Sequence, residues 1–251
     1  MTINSPTDRH IPALRMLWKE AFSDTDAFLD IFFETAFSKK RCRCVFDGDL
    51  PVSVLYIFDC TYDDKKVAYI YAVATLKDYR SRGLSSMLIR DTHSYLSENG
   101  YTGALLVPGE RELFRFYERL GYKTATTVTE FSASQKGSIP LVKIDAEKYK
   151  SLRRDFLPKD SVIQEGENLK FLSAQSDFYT GDGFLLAARR EGNKLVCTEL
   201  LGNTDRAPAI LGALGCTEGY FRAPGNDRDF AMFIPLKDGT LPPKYFAFAF
   251  D

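Results

Sequence analysis

The stretch K77-D-Y-R-S-R-G-L-S-S-M-L-I89 places Arg80, Arg82 and Gly83 between a tyrosine-rich apolar run and a segment of helical period. A helix start already carries positive dipole charge, so two cations there need a partner of opposite sign. A strand, a tight turn with glycine and a helix N-terminus together aim several free backbone N–H groups at one point, where a phosphate fits. Gly83 admits a bulky anion close to the backbone, and the two arginines add charge. An isolated R-x-R-G is more often a solvated loop, so the reading depends on the residues around it.

Upstream, residues 11–37 show helical recurrence of Leu14, Leu17 and Phe22. A Ser23-Asp24 cap signal then precedes Phe28, Ile31, Phe32 and Phe37, predicting two short helices. R-C-R-C-V-F, P-V-S-V-L-Y-I-F-D and V-A-Y-I-Y-A-V-A-T, separated by an Asp47-Gly48 turn and a polar T-Y-D-D-K-K, predict a three-stranded antiparallel meander. Downstream, Leu84, Met87, Leu88 and Tyr95 share a helical stripe that ends at Asn99-Gly100. G-A-L-L-V then reads as a buried strand, R-E-L-F-R-F-Y-E-R-L as a helix ended by Gly121, and Y-K-T-A-T-T-V-T-E-F-S-A as the strand that closes this half.

In that context the stretch resembles a known family. A-V-A-T-L-K-D-Y-R-S-R-G-L-S-S-M-L-I is similar to the R/Q-x-x-G-x-G/A pyrophosphate loop of GNAT acyl-CoA N-acyltransferases, with Arg80, Gly83 and Ser85 at the motif positions. L-F-R-F-Y-E-R-L-G-Y, residues 113–122, is similar to the second signature of that family, F-Y-E-K-L-G-F. Ser85 departs from the usual Gly or Ala, and Glu110 stands where many members carry Asn. The resemblance covers roughly residues 1–133.

The fold class it implies is α/β with an α+β mixed sheet, whose strands near 67–75 and 103–107 splay apart. Pantetheine would pair with the backbone of Val73, Ala74 and Thr75 in the opening. The cofactor-binding set is completed by Arg80, Ser81, Arg82, Gly83, Leu84, Ser85 and Ser86, which would cradle the diphosphate of acetyl-CoA. No metal is expected. Tyr117, at the family's motif tyrosine, is the candidate hydrogen-bond donor to the departing thiolate.

Acyl transfer needs a neutral amine, and deprotonating an alkylamine of pKa ~10.4 at pH 7 costs about 4 to 5 kcal/mol. V-A-Y-I-Y-A-V-A-T offers Tyr69 and Tyr71 but no carboxylate to take that proton. Glu110 and Glu130 are candidates, although a solvated carboxylate is the commoner role for each. The chain ends in the apolar run Y-F-A-F-A-F-D. In the tandem acetyltransferases of the enhanced-intracellular-survival type a C-terminal carboxylate enters the active site, which makes the Asp251 terminus a third candidate.

Gly137 and Pro140 mark residues 134–140 as a linker, leaving residues 141–251 as a smaller, degenerate GNAT-like second domain. It repeats strand, hairpin, helix and strand around Gly192-Asn193, but its turn reads L-L-G-N-T-D-R-A-P-A-I, without the phosphate motif and with Pro208 interrupting the helix. Wall of the acceptor site or homodimer surface are its two expected roles. Its aromatic set, Tyr220, Phe221, Phe230, Phe233, Tyr245, Phe246, Phe248 and Phe250, fits a pocket lining or plain strand core.

Composition narrows the partners. Thirty-three Lys plus Arg against 34 Asp plus Glu give a net charge of −1, so no basic field gathers nucleic acid or anionic membrane. No run approaches the ~18 apolar residues of a membrane span and the start lacks a signal pattern, so the expected compartment is the cytoplasm. Five cysteines without C-x-x-C spacing, far in sequence from His10 and His93, read as reduced thiols. The expected activity is N-acetyl transfer from acetyl-CoA to a primary amine of a small molecule or peptide. The alternatives are a non-catalytic acyl-CoA sensor and a tandem-fold aminoacyl transferase, the latter disfavoured by the near-neutral charge.

Overall fold

Alternating side chains dictate how the first sheet is covered. In β2 (Cys42–Asp47), β3 (Leu50–Tyr62) and β4 (Lys65–Thr75), paired as an antiparallel meander, successive residues point to opposite faces. Leu55, Ile57, Ala68 and Ile70 face one way and pack with Leu88, Ile89 and Leu96 of α3 (Leu84–Glu98). Tyr56, Phe58, Tyr69 and Tyr71 face the other way. They meet Trp18 of α1 (Ile11–Phe22) and Phe32 of α2 (Asp26–Thr35), with Trp18 4.6 Å from Phe32 and 5.0 Å from Tyr56 between ring centres. The Trp18 indole N–H donates to Asp24 at 2.8 Å, and Thr25, rather than Ser23 or Asp24, caps α2 by accepting from the Phe28 amide.

The computed structural model of the chain describes residues 1–250. They form two units, Met1–Lys123 with Met232–Pro242, and Thr124–Ala231 with the chain from Pro243 onward. The first unit holds a mixed sheet in the order β1-β2-β3-β4-β5-β14-β6, where β1 is Thr2–Asn4, β5 Gly103–Leu106, β6 Lys123–Thr124 and β14 Met232–Pro235. Helix α4 (Arg111–Glu118) lies between β5 and β6 in the chain.

The expected closing strand of the first half is divided. Only Lys123–Thr124 joins the first sheet, while β7 (Thr127–Ser134) pairs with β12 (Glu218–Pro224) in the second. β14 returns from late in the sequence to pair antiparallel with β5, Met232 opposite Leu106. Residues 134–140 are accordingly no linker between units. The Gln135 amide donates to the Thr217 carbonyl and Lys136 to Pro208, and a Cβ on Gly212 would stand 1.9 Å from the Gly137 carbonyl oxygen, so this segment is packed within the second unit.

The second sheet runs β13-β7-β12-β11-β10-β9-β8, with β8 Leu141–Ile144, β9 Asp177–Gly181, β10 Phe184–Glu191, β11 Lys194–Gly202 and β13 Arg228–Asp229. Helices α5 (Ala146–Phe156), α6 (Glu167–Ser173) and α7 (Ala207–Ala213) complete it. Pro208 does not interrupt α7. It occupies the first turn, where a missing N–H costs nothing.

Tyr245–Phe250, read as a strand, joins no sheet beyond one parallel bridge from Tyr245 to Ser161. Side chains hold it instead. Glu199, fully buried on β11, accepts from the Tyr149 hydroxyl at 2.7 Å, the Tyr245 hydroxyl at 3.1 Å, and Arg153 at 2.7 and 3.0 Å. Gln164 makes paired hydrogen bonds with the Phe248 backbone at 2.9 and 3.1 Å. Of the aromatic set, Phe221, Phe230, Phe233, Tyr245, Phe246 and Phe248 are buried core, and Tyr220 is exposed.

Removing one member of a buried ion pair strands the other charge, at a cost of about 3–5 kcal/mol. Glu199→Gln is therefore expected to lower the stability of the second unit by that amount in urea unfolding, and a loss under ~1 kcal/mol would show that the network carries little.

Candidate active site

The site begins where two strands part. β4 and β5 pair in parallel at Val67–Gly103, Ala68–Ala104 and Tyr69–Leu105, and the ladder ends there. Strand β5 stops at Leu106, two positions before Pro108, and a proline cannot donate to a ladder. Meanwhile β4 runs six residues further, to Thr75. On its other side the β3–β4 register slips by one residue between Val54–Ala74 and Tyr56–Tyr71, with Ala72 at φ 48°. This bulge twists β4 locally and costs about 1–2 kcal/mol for a non-glycine residue in the left-handed region. Val73, Ala74 and Thr75 thus lie on a strand segment beyond the reach of the β5 ladder.

A tight turn leads from β4 into α3. The Glu20 carboxylate accepts from the Lys77 amide at 2.5 Å, and the Tyr79 hydroxyl donates to Asp47 at 2.9 Å. Ser81 and Gly83 both adopt left-handed backbone, φ 61° and 72°. No side chain caps α3 among the described residues, and a Cβ on Gly83 would meet nothing within 4 Å. Its first-turn amides, at Leu84, Ser85 and Ser86, have no partner within the helix.

The two arginines are braced from within. Arg80 Nε donates to the Thr75 carbonyl at 3.0 Å. Arg82 donates to the Asp78 carbonyl at 2.6 Å, its guanidinium 4.9 Å from the Tyr79 ring centre. These contacts use a fraction of the five N–H donors of each guanidinium. They answer part of the question the motif raised, because the cations also hold the turn together.

Glu110 is the exposed residue before α4, and Tyr117 lies near its far end, ~10 Å along the axis at 1.5 Å per residue. The structure does not bring these two candidates together. Tyr117 is buried, its ring 5.0 Å from Phe116 and 5.9 Å from Tyr122. Burial pushes its phenol up to about 12, and its hydroxyl has no hydrogen-bond partner among the described residues.

Glu130 belongs to β7 of the second sheet and accepts from Arg222 at 3.0 Å and from Arg228. Burial would raise its carboxyl, but hydrogen bonds from Tyr220, Arg228 and Arg222 outweigh that and hold it below the usual carboxylate range. A carboxylate so engaged is a poor base. Asp251 lies outside the described residues. Sequence reasoning also passed over His93, whose Nε2 stands 2.9 Å from the Tyr122 hydroxyl; a pair 29 positions apart leaves no local pattern.

Residues 2–125, the span of these elements up to the strand exchange, match the model of the acetyltransferase (GNAT) domain. This segment is a GNAT acetyltransferase domain. No curated protein sequence matches the chain.

Among solved structures, a GCN5-related N-acetyltransferase from Anabaena variabilis aligns with TM-score 0.74 and 15% identity, over 94% of this chain and 73% of that one. Eis1 from Mycobacterium abscessus aligns with TM-score 0.69 and 14% identity, over 94% and 74%. A tandem GNAT protein from the clavulanic acid biosynthesis pathway aligns with TM-score 0.58 and 9% identity, over 95% and 99%. At these identities the likeness is one of fold, and it extends through the second unit.

Within the GNAT domain, Gly83→Ala is expected to reduce stability by about 1–2 kcal/mol through left-handed backbone strain alone, since its methyl meets open space. Urea unfolding checks this, and an unchanged midpoint would show that the turn relaxes freely.

Proposed function

We propose that this protein moves an acetyl group from acetyl-CoA to a primary amine by direct transfer. The observation that carries the reading is the uncapped start of α3, where left-handed Ser81 and Gly83 open onto clear space beside the parted β4 strand. A diphosphate suits that arrangement. The amides of Gly83, Leu84, Ser85 and Ser86 would receive it, with Ser81, Arg80 and Arg82 contributing further donors. The backbone of Val73, Ala74 and Thr75 would pair with pantetheine amides as an added strand does. When bound, acetyl-CoA supplies an activated acyl thioester.

Tyr117 would donate a hydrogen bond to the departing sulfur. With its phenol at about 12 and a thiol near ~8.5, complete proton transfer is uphill by roughly 5 kcal/mol, so Tyr117 keeps its proton and acts through the hydrogen bond. Its unpartnered hydroxyl is consistent with that task. For the proton of the amine, Glu110 is the proposed receiver by way of intervening water, Glu130 being held by two arginines.

A second reading, an acyl-CoA-binding sensor, is favoured by one feature: β4 carries Tyr69 and Tyr71 where a carboxylate would serve as base.

Calorimetry with acetyl-CoA, and thiol release in the presence of spermidine, kanamycin, free amino acids or a lysine-containing peptide, test the proposal together. Binding with turnover supports transfer, heat without thiol release supports the sensor, and neither would refute both. Tyr117→Phe is expected to lower turnover at least about tenfold while acetyl-CoA affinity stays within about threefold. Unchanged turnover would remove Tyr117 from the mechanism.

A further inference from the structure

One hydrogen bond ties the helix that opens at Gly83 to the turn that ends α4. His93 sits on α3, and its Nε2 lies 2.9 Å from the hydroxyl of Tyr122, with ring centres 5.4 Å apart. Tyr122 is 1% exposed, so its hydroxyl has little access to water. Left unpaired, such a group is costly, and His93 supplies the partner.

Tyr122 is joined to Tyr117 in two ways. Across the turn at Gly121, φ 96°, the Tyr122 amide donates to the Tyr117 carbonyl at 3.2 Å. The two rings also meet edge to face at 5.9 Å. A continuous path therefore runs from α3 through His93 and Tyr122 to Tyr117. Burial, with Arg90 as the lesser cause, pushes the His93 imidazole down to about 4, so it stays neutral near pH 7. The link does not switch over that range.

We propose that His93 is a positioning residue for acyl transfer: through Tyr122 it fixes the Tyr117 ring relative to the helix that begins at the phosphate-binding turn. The proposal rests on the acyl-transfer reading above. The physical reason is that a hydrogen-bond donor works only when aimed, and a displacement of ~1 Å can cost ~10²-fold in rate. Packing alone leaves a tyrosine ring free to tilt about its side-chain torsions. A buried hydrogen bond on the neighbouring ring narrows that freedom.

The experiment uses the full chain labelled with 3-fluorotyrosine, the Tyr117 fluorine resonance being assigned by its loss in Tyr117→Phe. Tyr122→Phe removes one oxygen and keeps the shape of the core, His93→Leu removes the partner, and His93→Gln retains a hydrogen-bonding group. Tyr122→Phe and His93→Leu are expected to broaden or split the Tyr117 resonance, and His93→Gln to restore much of its narrow line. Acetyl-CoA affinity should stay within about threefold, while thiol release with the amine panel falls about tenfold at unchanged KM for acetyl-CoA. A Tyr117 resonance unaltered in Tyr122→Phe overturns the proposal, whatever happens to activity. A wild-type protein that gives no heat with acetyl-CoA overturns the acyl-transfer reading, and the fluorine comparison still decides whether His93 positions Tyr117.

Discussion

The first unit is organised around a parallel ladder that stops after three residue pairs, at Tyr69 and Leu105. Parallel strands in a sheet ordinarily stay together because each unpaired backbone group inside a protein is costly. Here β5 is ended by Pro108, and β4 is bent on its opposite edge by the bulge at Ala72. The two causes act on different strands and reinforce one another. They leave a length of β4 whose β5-facing edge has no strand beside it among the described residues, which is the arrangement an extended amide-bearing ligand can use.

The turn after β4 depends on that opening. Arg80 reaches back to the Thr75 carbonyl, at the last residue of the parted strand, so one guanidinium connects the strand end to the loop that starts α3. Glu20 does the same from α1 by accepting the Lys77 amide. The first-turn amides of α3 are thus presented by a loop fixed at several points, and little ordering entropy remains to be lost when an anion arrives. Cations at a helix start are electrostatically unfavourable by themselves. Their internal hydrogen bonds reduce that cost without neutralising their charge, so the attraction for an anion persists.

What the sequence made legible was local. The period of 2 in residues 42–75 and the period of 3.6 in 84–98 gave the meander and the helix, and the R-x-R-G spacing pointed to the turn. Pairing over long distances was not legible. Thr127–Ser134 alternates as any strand does, and nothing in its own residues says that it joins the second sheet while Met232–Pro235 joins the first. The bulge centres on an alanine, so the glycine that usually marks left-handed backbone is missing. Tyr245–Phe250 looks like a strand because its side chains alternate, yet it is held by Glu199 and Gln164, partners that no periodicity encodes.

The second unit shows a similar strand and helix arrangement without the left-handed turn found at Ser81 and Gly83. Its parallel ladder between β11 and β12 also ends early, at Cys197 and Phe221, and its β10–β11 register also slips by one residue, between Ala187 and Ala188. The turn before α7 differs in kind. Arg206 precedes that helix in right-handed conformation, and the helix has 7 residues against 15 in α3. The turn leading into α7 is also capped by a side chain, Asn203 accepting from the Asp205 amide at 3.0 Å, whereas no side chain caps α3 among the described residues. Just past the register slip, β11 places Glu199, which binds Tyr149, Arg153 and Tyr245 of its own chain. A buried carboxylate this fully engaged serves the fold, so of the two copies of the architecture, the first unit is the one whose backbone donors remain available to a ligand.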